Sequence, residues 1–288
     1  MPQVRMPGMG CPSAAHSSLV YKLSTLGPRM LTLNKHPSGR HFLQIPGPTN
    51  VPDRVLRAID QPTIDHRGPE FGALGLSVLA GIRQVFGTES PVVIYPASGT
   101  GAWEAALVNT LSPGDRVLMV ETGHFASLWR KLAGRLGLEV DYIEGDWRHP
   151  VDAALIGARL ADDAQRRIKA VCVVHNETST GVTSDIAAVR AAIDRAGHPA
   201  LLMVDTISSL GSIDYRHDEW GVDVTVAGSQ KGLMLPPGLS FNAVGARAGG
   251  GRDGAPAAFV LGLARDAGAQ RQGLFPLHAV DQSALWPA

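Results

Sequence analysis

The sequence predicts an α/β fold: a mainly parallel sheet covered by helices on both faces. Two observations carry that prediction. From Val92 onward, short apolar runs rich in β-branched residues alternate with helical stretches. The chain has 288 residues, enough to bury a large core, yet no apolar run approaches the length of a membrane span. Sites in such folds collect at the carboxyl ends of the strands, so the polar residues after each strand are the ones to inspect.

Residues 1–41 are read as a flexible N-terminal extension. Met1 to Arg29 mixes Pro, Gly, Ser and scattered Met without periodicity, and Met30 offers an alternative start. No continuous apolar stretch there marks a secretory signal. Residues 42–245 form the α/β unit. It opens on Gln44–Pro52, an extended segment whose prolines fix φ and disfavour helix before them. A helix is predicted from Asp53 to Asp60, with Pro52 near its start. A second follows the polar turn Asp65–Pro69 and runs to Phe86. Strands are predicted at Val92–Tyr95, Val117–Val120, Val140–Ile143, Ala170–Val174, Leu201–Val204, Val222–Ala227 and Leu239–Val244. Helices between them are predicted at Ala102–Leu111, Ser127–Leu136, Ala153–Ala161 and Ile186–Ala196. Residues 246–288 are an atypical tail, with eleven Ala and seven Gly among 43 residues and no Lys, Glu, Ile or Tyr. An out-of-frame reading of a GC-rich gene yields that composition; a genuine but divergent tail is the other reading.

Composition narrows the partners. Basic and acidic residues balance at 26 each, so neither nucleic acid nor an acidic membrane surface is expected. The two cysteines, Cys11 and Cys172, imply no disulfide framework, which fits a reducing cytoplasm. Cys172 lies inside an apolar run and reads as a small buried hydrophobe.

The stretch Val222–Pro237, VDVTVAGSQKGLMLPP, has a strand, a Gly-Ser-Gln break and then Lys231. Lys231 is the only charge between Asp223 and Arg247. Desolvation would lower its pKa and free the amine as a nucleophile, as a Schiff-base lysine requires; a stem that packs while the head snorkels to water is the alternative. After the first strand, Pro96–Gly101 leads into a helix. Its small residues and the hydroxyls of Ser98 and Thr100 outline a phosphate cradle, without the lysine of a P-loop. Phe125 follows the second strand, placed either to stack on a flat ring or to pack in the core. His175–Gly181, mostly polar, follows the fourth, as a site loop or a solvated capping loop. Asp205 follows the fifth. A buried carboxylate needs a partner; it pairs well with a pyridinium nitrogen whose ring aldehyde a lysine carries. An N-cap and a metal ligand are the competing readings, but no second carboxylate or histidine set stands beside it, so no metal is expected.

Several phrases together resemble the class V, pyridoxal-phosphate-dependent aminotransferase family, and within it the serine–glyoxylate and alanine–glyoxylate group. They are IPGPTNVP (Ile45–Pro52), DHRGPEF (Asp65–Phe71), SGTGAWEAALVN (Ser98–Asn109), ETGHF (Glu121–Phe125), HNETSTGV (His175–Val182), VDTISSLG (Val204–Gly211) and AGSQKGLMLPPGLSF (Ala227–Phe241). The resemblance implies the large domain of the aspartate-aminotransferase-like fold (fold type I), pyridoxal 5'-phosphate as cofactor and a homodimer with shared active sites. It implies that Lys231 is the lysine bonded to the cofactor and the acid–base of the reaction. Asp205 would pair with the ring nitrogen, and Ser98, Gly99, Thr100 and Gln230 would bind the phosphate. Phe125 would stack on the ring, Thr178 would lie near its hydroxyl, and the Gly47-Pro48 segment would line the substrate. The substrates implied are a small amino acid, serine or alanine, and the 2-oxo acid glyoxylate.

The chain departs from that family after Val244. The family's C-terminal small domain, which supplies the arginine that clamps the substrate carboxylate, is not recognisable. Arg247, Arg252, Arg265 and Arg271 match none of its motifs. Two alternatives to an active transaminase therefore stand: a truncated fragment that binds cofactor without turnover, and a lyase or desulfurase of the same class. The last needs a nucleophilic cysteine on a mobile loop, whereas Cys172 is expected in a strand.

Overall fold

The computed structural model describes residues 43–249. The readings placed on residues 1–41 and on the tail beyond 249 lie outside them. Seven strands form one sheet: β1 Val92–Tyr95, β2 Arg116–Val120, β3 Glu139–Ile143, β4 Ile168–Val174, β5 Leu201–Asp205, β6 Val224–Gly228 and β7 Ser240–Val244. Their order is β1-β7-β6-β5-β4-β2-β3. Strands β2 to β6 pair in parallel. The expected parallel sheet has one reversed strand, β7, which lies antiparallel to both β1 and β6.

The helices are α1 Asp53–Ile59, α2 Pro69–Phe86, α3 Gly99–Thr110, α4 His124–Arg135, α5 Ala153–Asp162, α6 Ile186–Arg195 and the short α7 Ala246–Gly249. Alternation along the strands sorts the core into two layers. Leu118, Val171, Val173, Leu202 and Val204 face one side, against Ile156 and Leu160 of α5 and Ile186, Val189 and Ile193 of α6. Val117, Met119, Cys172, Met203 and Val226 face the other, against Trp103 and Leu107 of α3 and Trp129 of α4. Local chemistry fixes the helix ends. The Asp152 side chain accepts from the Ala154 amide, and Asp185 from the Ala188 amide. Pro69 opens α2, and Gly87 closes it with φ +63°.

Several boundaries differ from the sequence reading, and three have a local cause. Strand β6 begins at Val224, because the Asp223 carboxylate accepts the Leu202 amide and interrupts the ladder. Helix α3 begins at Gly99 and α4 at His124, each three residues early. Gly-Thr-Gly reads as a turn in sequence, yet it forms the first turn of α3.

Helices α1 and α2 contrast with this core. No residue of α1 is buried, and only Gly75 and Phe86 of α2 are. Leu56, Ile59, Leu74, Leu76 and Val78 are exposed. Among the described residues, no helix is long and apolar enough to cross a membrane.

Candidate active site

Parallel pairing of β5 with β6 brings Asp205 opposite Val226, so both strands end at one rim. A cleft at that rim encloses about 150 Å³. Its walls include Ser98, Gly99, Thr100, Phe125, Thr178, Asp205, Gln230 and Lys231, all singled out from sequence, whereas Gly47 and Pro48 are not among its lining residues. They also include Asn176, from the polar loop His175–Gly181, and Trp103, Val174, Ile207 and Ser208, which were given no role from sequence.

Asp205 is the last residue of β5 and is 3% exposed. Its Oδ1 accepts the Ile207 amide at 2.7 Å, and its Oδ2 accepts the Trp103 indole N–H at 3.0 Å. Burial pushes its carboxyl up to about 7; the two donors and the charge of Lys231 oppose that rise, while Glu177 adds to it. No helix follows Asp205, so it caps none. Among the described residues, no group of three or more His, Cys, Asp or Glu converges to hold a metal ion.

Lys231 lies beyond β6, on the turn after Gly228. Burial moves its amine below the usual lysine range, with Asp205 opposing. Nζ donates to the Pro46 carbonyl at 2.8 Å. The Gln44–Pro52 segment therefore straps across the lysine. Thr49 fastens the strap: its amide donates to the Gln230 carbonyl at 2.9 Å and its hydroxyl to the Lys231 carbonyl at 3.1 Å. Gly47 makes this approach possible. Its φ is +145°, and a Cβ there would sit 2.5 Å from Nζ.

At the opposite end of the cleft, Ser98 is the N-cap of α3 but makes no side-chain cap bond, and the first turn carries no acidic residue. A side chain at Gly99 would collide with Ile207. Amides, hydroxyls and helix dipole together suit this turn to an anion. Phe125 is in the first turn of α4, held by Glu177. That carboxylate is fully buried and accepts the Phe125 amide at 3.2 Å, the Ala126 amide at 3.1 Å and the Ser179 hydroxyl at 2.8 Å.

Two larger clefts, of about 330 and 540 Å³, open at the amino-end rim around Arg190, Asp194 and Arg247. Arg190, Asp194, Asp223 and Arg247 there are joined in ion pairs, and no lysine lines either cleft. Chemistry, not size, favours the cleft at the carboxyl ends. It suits a flat ligand with an anionic group at one end, a basic ring nitrogen facing Asp205 and a carbonyl open to a primary amine.

The model of the family described as "Aminotransferase class-V" matches residues 41–247. The chain belongs to the class V aminotransferases. It is 52% identical over 198 residues to an L-aspartate–glyoxylate aminotransferase of Paracoccus denitrificans, covering 68% of this chain and 50% of that protein. It is 52% identical over 211 residues to a serine–glyoxylate aminotransferase of Methylorubrum extorquens, covering 73% and 52% respectively. Among solved structures, an aspartate aminotransferase of subgroup IV from Thermus thermophilus superposes with a TM-score of 0.72 at 32% identity, covering 80% of this chain and 64% of that one. The chain spans about half the length of the curated relatives it matches.

Proposed function

We propose that residues 43–249 form the cofactor-binding large domain of a pyridoxal-phosphate-dependent aminotransferase that passes an amino group from serine or alanine to glyoxylate. The observation that carries this reading is one cleft joining Lys231, Asp205 and the α3 N-terminus. Glyoxylate is the acceptor named for both relatives above, while their named donors differ.

When bound, the cofactor supplies an aldehyde for condensation with amines and a protonated pyridine ring as electron sink. The Ser98–Thr100 turn and Gln230 would bind its phosphate. The Asp205 carboxylate would hold a proton on the ring nitrogen. Phe125 would cover a ring face, and Thr178 would lie near the ring hydroxyl. Lys231 would hold the aldehyde, and its Nζ would be the base that takes the proton from the α-carbon of the donor and later returns one. An amine less basic than usual suits both tasks, because more of it is neutral at working pH. The exposed apolar faces of α1 and α2 support a homodimer. A balanced charge and few cysteines support a cytoplasmic location.

A second reading has its own support. Among the described residues no arginine lines the cleft to receive a substrate carboxylate. On that reading the chain binds cofactor without turnover. A desulfurase finds less support: Cys172 is buried within β4 and burial drives its thiol pKa upward, which leaves it inert.

The test is the purified chain mixed with pyridoxal phosphate, reduced with borohydride and mapped by mass spectrometry. Cofactor fixed to Lys231, and none in Lys231→Ala, is expected; fixation that persists in the variant overturns the lysine assignment. Serine plus glyoxylate then separates the two readings. Formation of glycine and hydroxypyruvate supports transamination, and fixation without products supports binding alone.

A further inference from the structure

Asp205 and Met203 lie two apart on β5, so both face the core layer that α3 covers. A carboxylate there must satisfy two oxygens away from water. Ile207, two residues further on, satisfies one. Trp103 satisfies the other from the second turn of α3, 102 residues away in sequence. The Trp103 ring is itself fixed. It is 3% exposed and stacks on Trp129, with centroids 5.9 Å apart and planes 11° apart. The two indoles differ in one respect: the buried Nε1 of Trp129 has no hydrogen-bond partner. Packing in this stack therefore does not depend on an indole hydrogen bond, and the bond from Trp103 answers to Asp205.

We propose that Trp103 is a positioning residue, whose indole N–H sets the plane of the Asp205 carboxylate and ties it to the helix whose first turn receives the phosphate. The proposal rests on the cleft being a pyridoxal phosphate site. Helix α3 then acts as a ruler, holding the anion-binding turn at one end and, one turn further on, the group that fixes Asp205. The bond also favours the ionised carboxylate. The other groups acting on Asp205 are the Ile207 amide, Glu177 beyond β4 and Lys231 beyond β6.

Trp103→Phe keeps a ring in the stack and removes the donor. Trp129→Phe removes similar volume from the same stack and no such donor, so it reports the purely structural effect. For wild type and both variants, pyridoxal phosphate is titrated into the full chain by absorbance, and the spectrum of the bound cofactor is followed against pH. Trp103→Phe is expected to weaken binding about tenfold and to move the acid limb of the spectral titration to higher pH, because Asp205 then takes up its proton more readily. Trp129→Phe is expected to leave both near wild type. Equal changes in the two variants, or no change in Trp103→Phe, overturn the positioning role while the cofactor reading stands. Failure of the wild-type chain to bind the cofactor overturns both.

Discussion

Asp205 closes β5 at the carboxyl rim of the sheet, and Asp223 stands just before β6 at the amino rim. Each is 3% exposed, and burial pushes each carboxyl above the usual range. Their partners differ. Asp223 accepts the Leu202 amide at 2.7 Å and has two guanidinium groups beside it, Arg190 at 3.7 Å and Arg247 at 3.5 Å. Asp205 accepts only neutral donors, from Trp103 and Ile207, with no Arg, Lys or His hydrogen-bonded to it among the described residues. A carboxylate serving the fold is supplied with cations by the chain. One kept buried on neutral donors is costly to the fold alone, as groups reserved for a ligand often are.

The largest test of this contrast is a pH series on the cofactor-free protein. Burial pushes the folded Asp205 carboxyl up to about 7, against an ordinary value of 3.8. A raised acid stabilises the fold fully below the ordinary value, and that contribution is lost as pH rises through the folded one. About 4 kcal/mol is at stake between pH 4 and 7. His217, which burial pushes down to about 4, acts in the opposite direction across this window, so the comparison must be with Asp205→Asn. The unfolding free energy of wild type minus that of the variant should grow as pH falls. A flat difference would mean that Asp205 is satisfied as an ion and the contrast with Asp223 is lost.

Next comes Asp223→Ala, which removes the acceptor of the Leu202 amide and leaves Arg190 with Asp194 alone. Urea unfolding should show a loss of about 3 kcal/mol, near the low end for a broken buried pair because Arg247 is half exposed. Cofactor binding per folded molecule should not change. Weaker binding would mean that the two rims are coupled. Smaller still is Glu177→Gln, which keeps an acceptor but removes the charge from the start of α4. A loss of about 1 kcal/mol is expected. It should be accompanied by altered ring-current shifts around Phe125, since that residue is what Glu177 holds. An unchanged NMR environment for Phe125 would show that the charge serves only the helix.

The strands were legible because β-branched runs state their period and, within about two residues, their ends. Asp205 and Lys231 were legible as charges that apolar neighbours leave isolated. Trp103 and Glu177 were not. Their partners lie 102 and about 50 residues away, and nothing local distinguishes an indole on an alanine-rich helix from ordinary core. The starts of α3 and α4 were misplaced for a related reason. Glycine there is chosen for close approach, to Ile207 at Gly99 and to Glu177 and Ser179 at Gly123, and in sequence such glycines read as turns. The antiparallel setting of β7 was hidden because a strand carries no local mark of its direction.

That reversed strand has a consequence for biosynthesis. Among the described strands β1 comes first in the chain and β7 last, and β1 pairs only with β7, through a register from Val92 opposite Ala243 to Tyr95 opposite Ser240. Helix α3 hangs directly from β1. A growing chain still attached to the ribosome therefore has α3, and with it the anion-binding turn, without its final neighbour until Val244 has emerged from the exit tunnel. The cleft is assembled late, as the two ends of the sheet's sequence are stitched together.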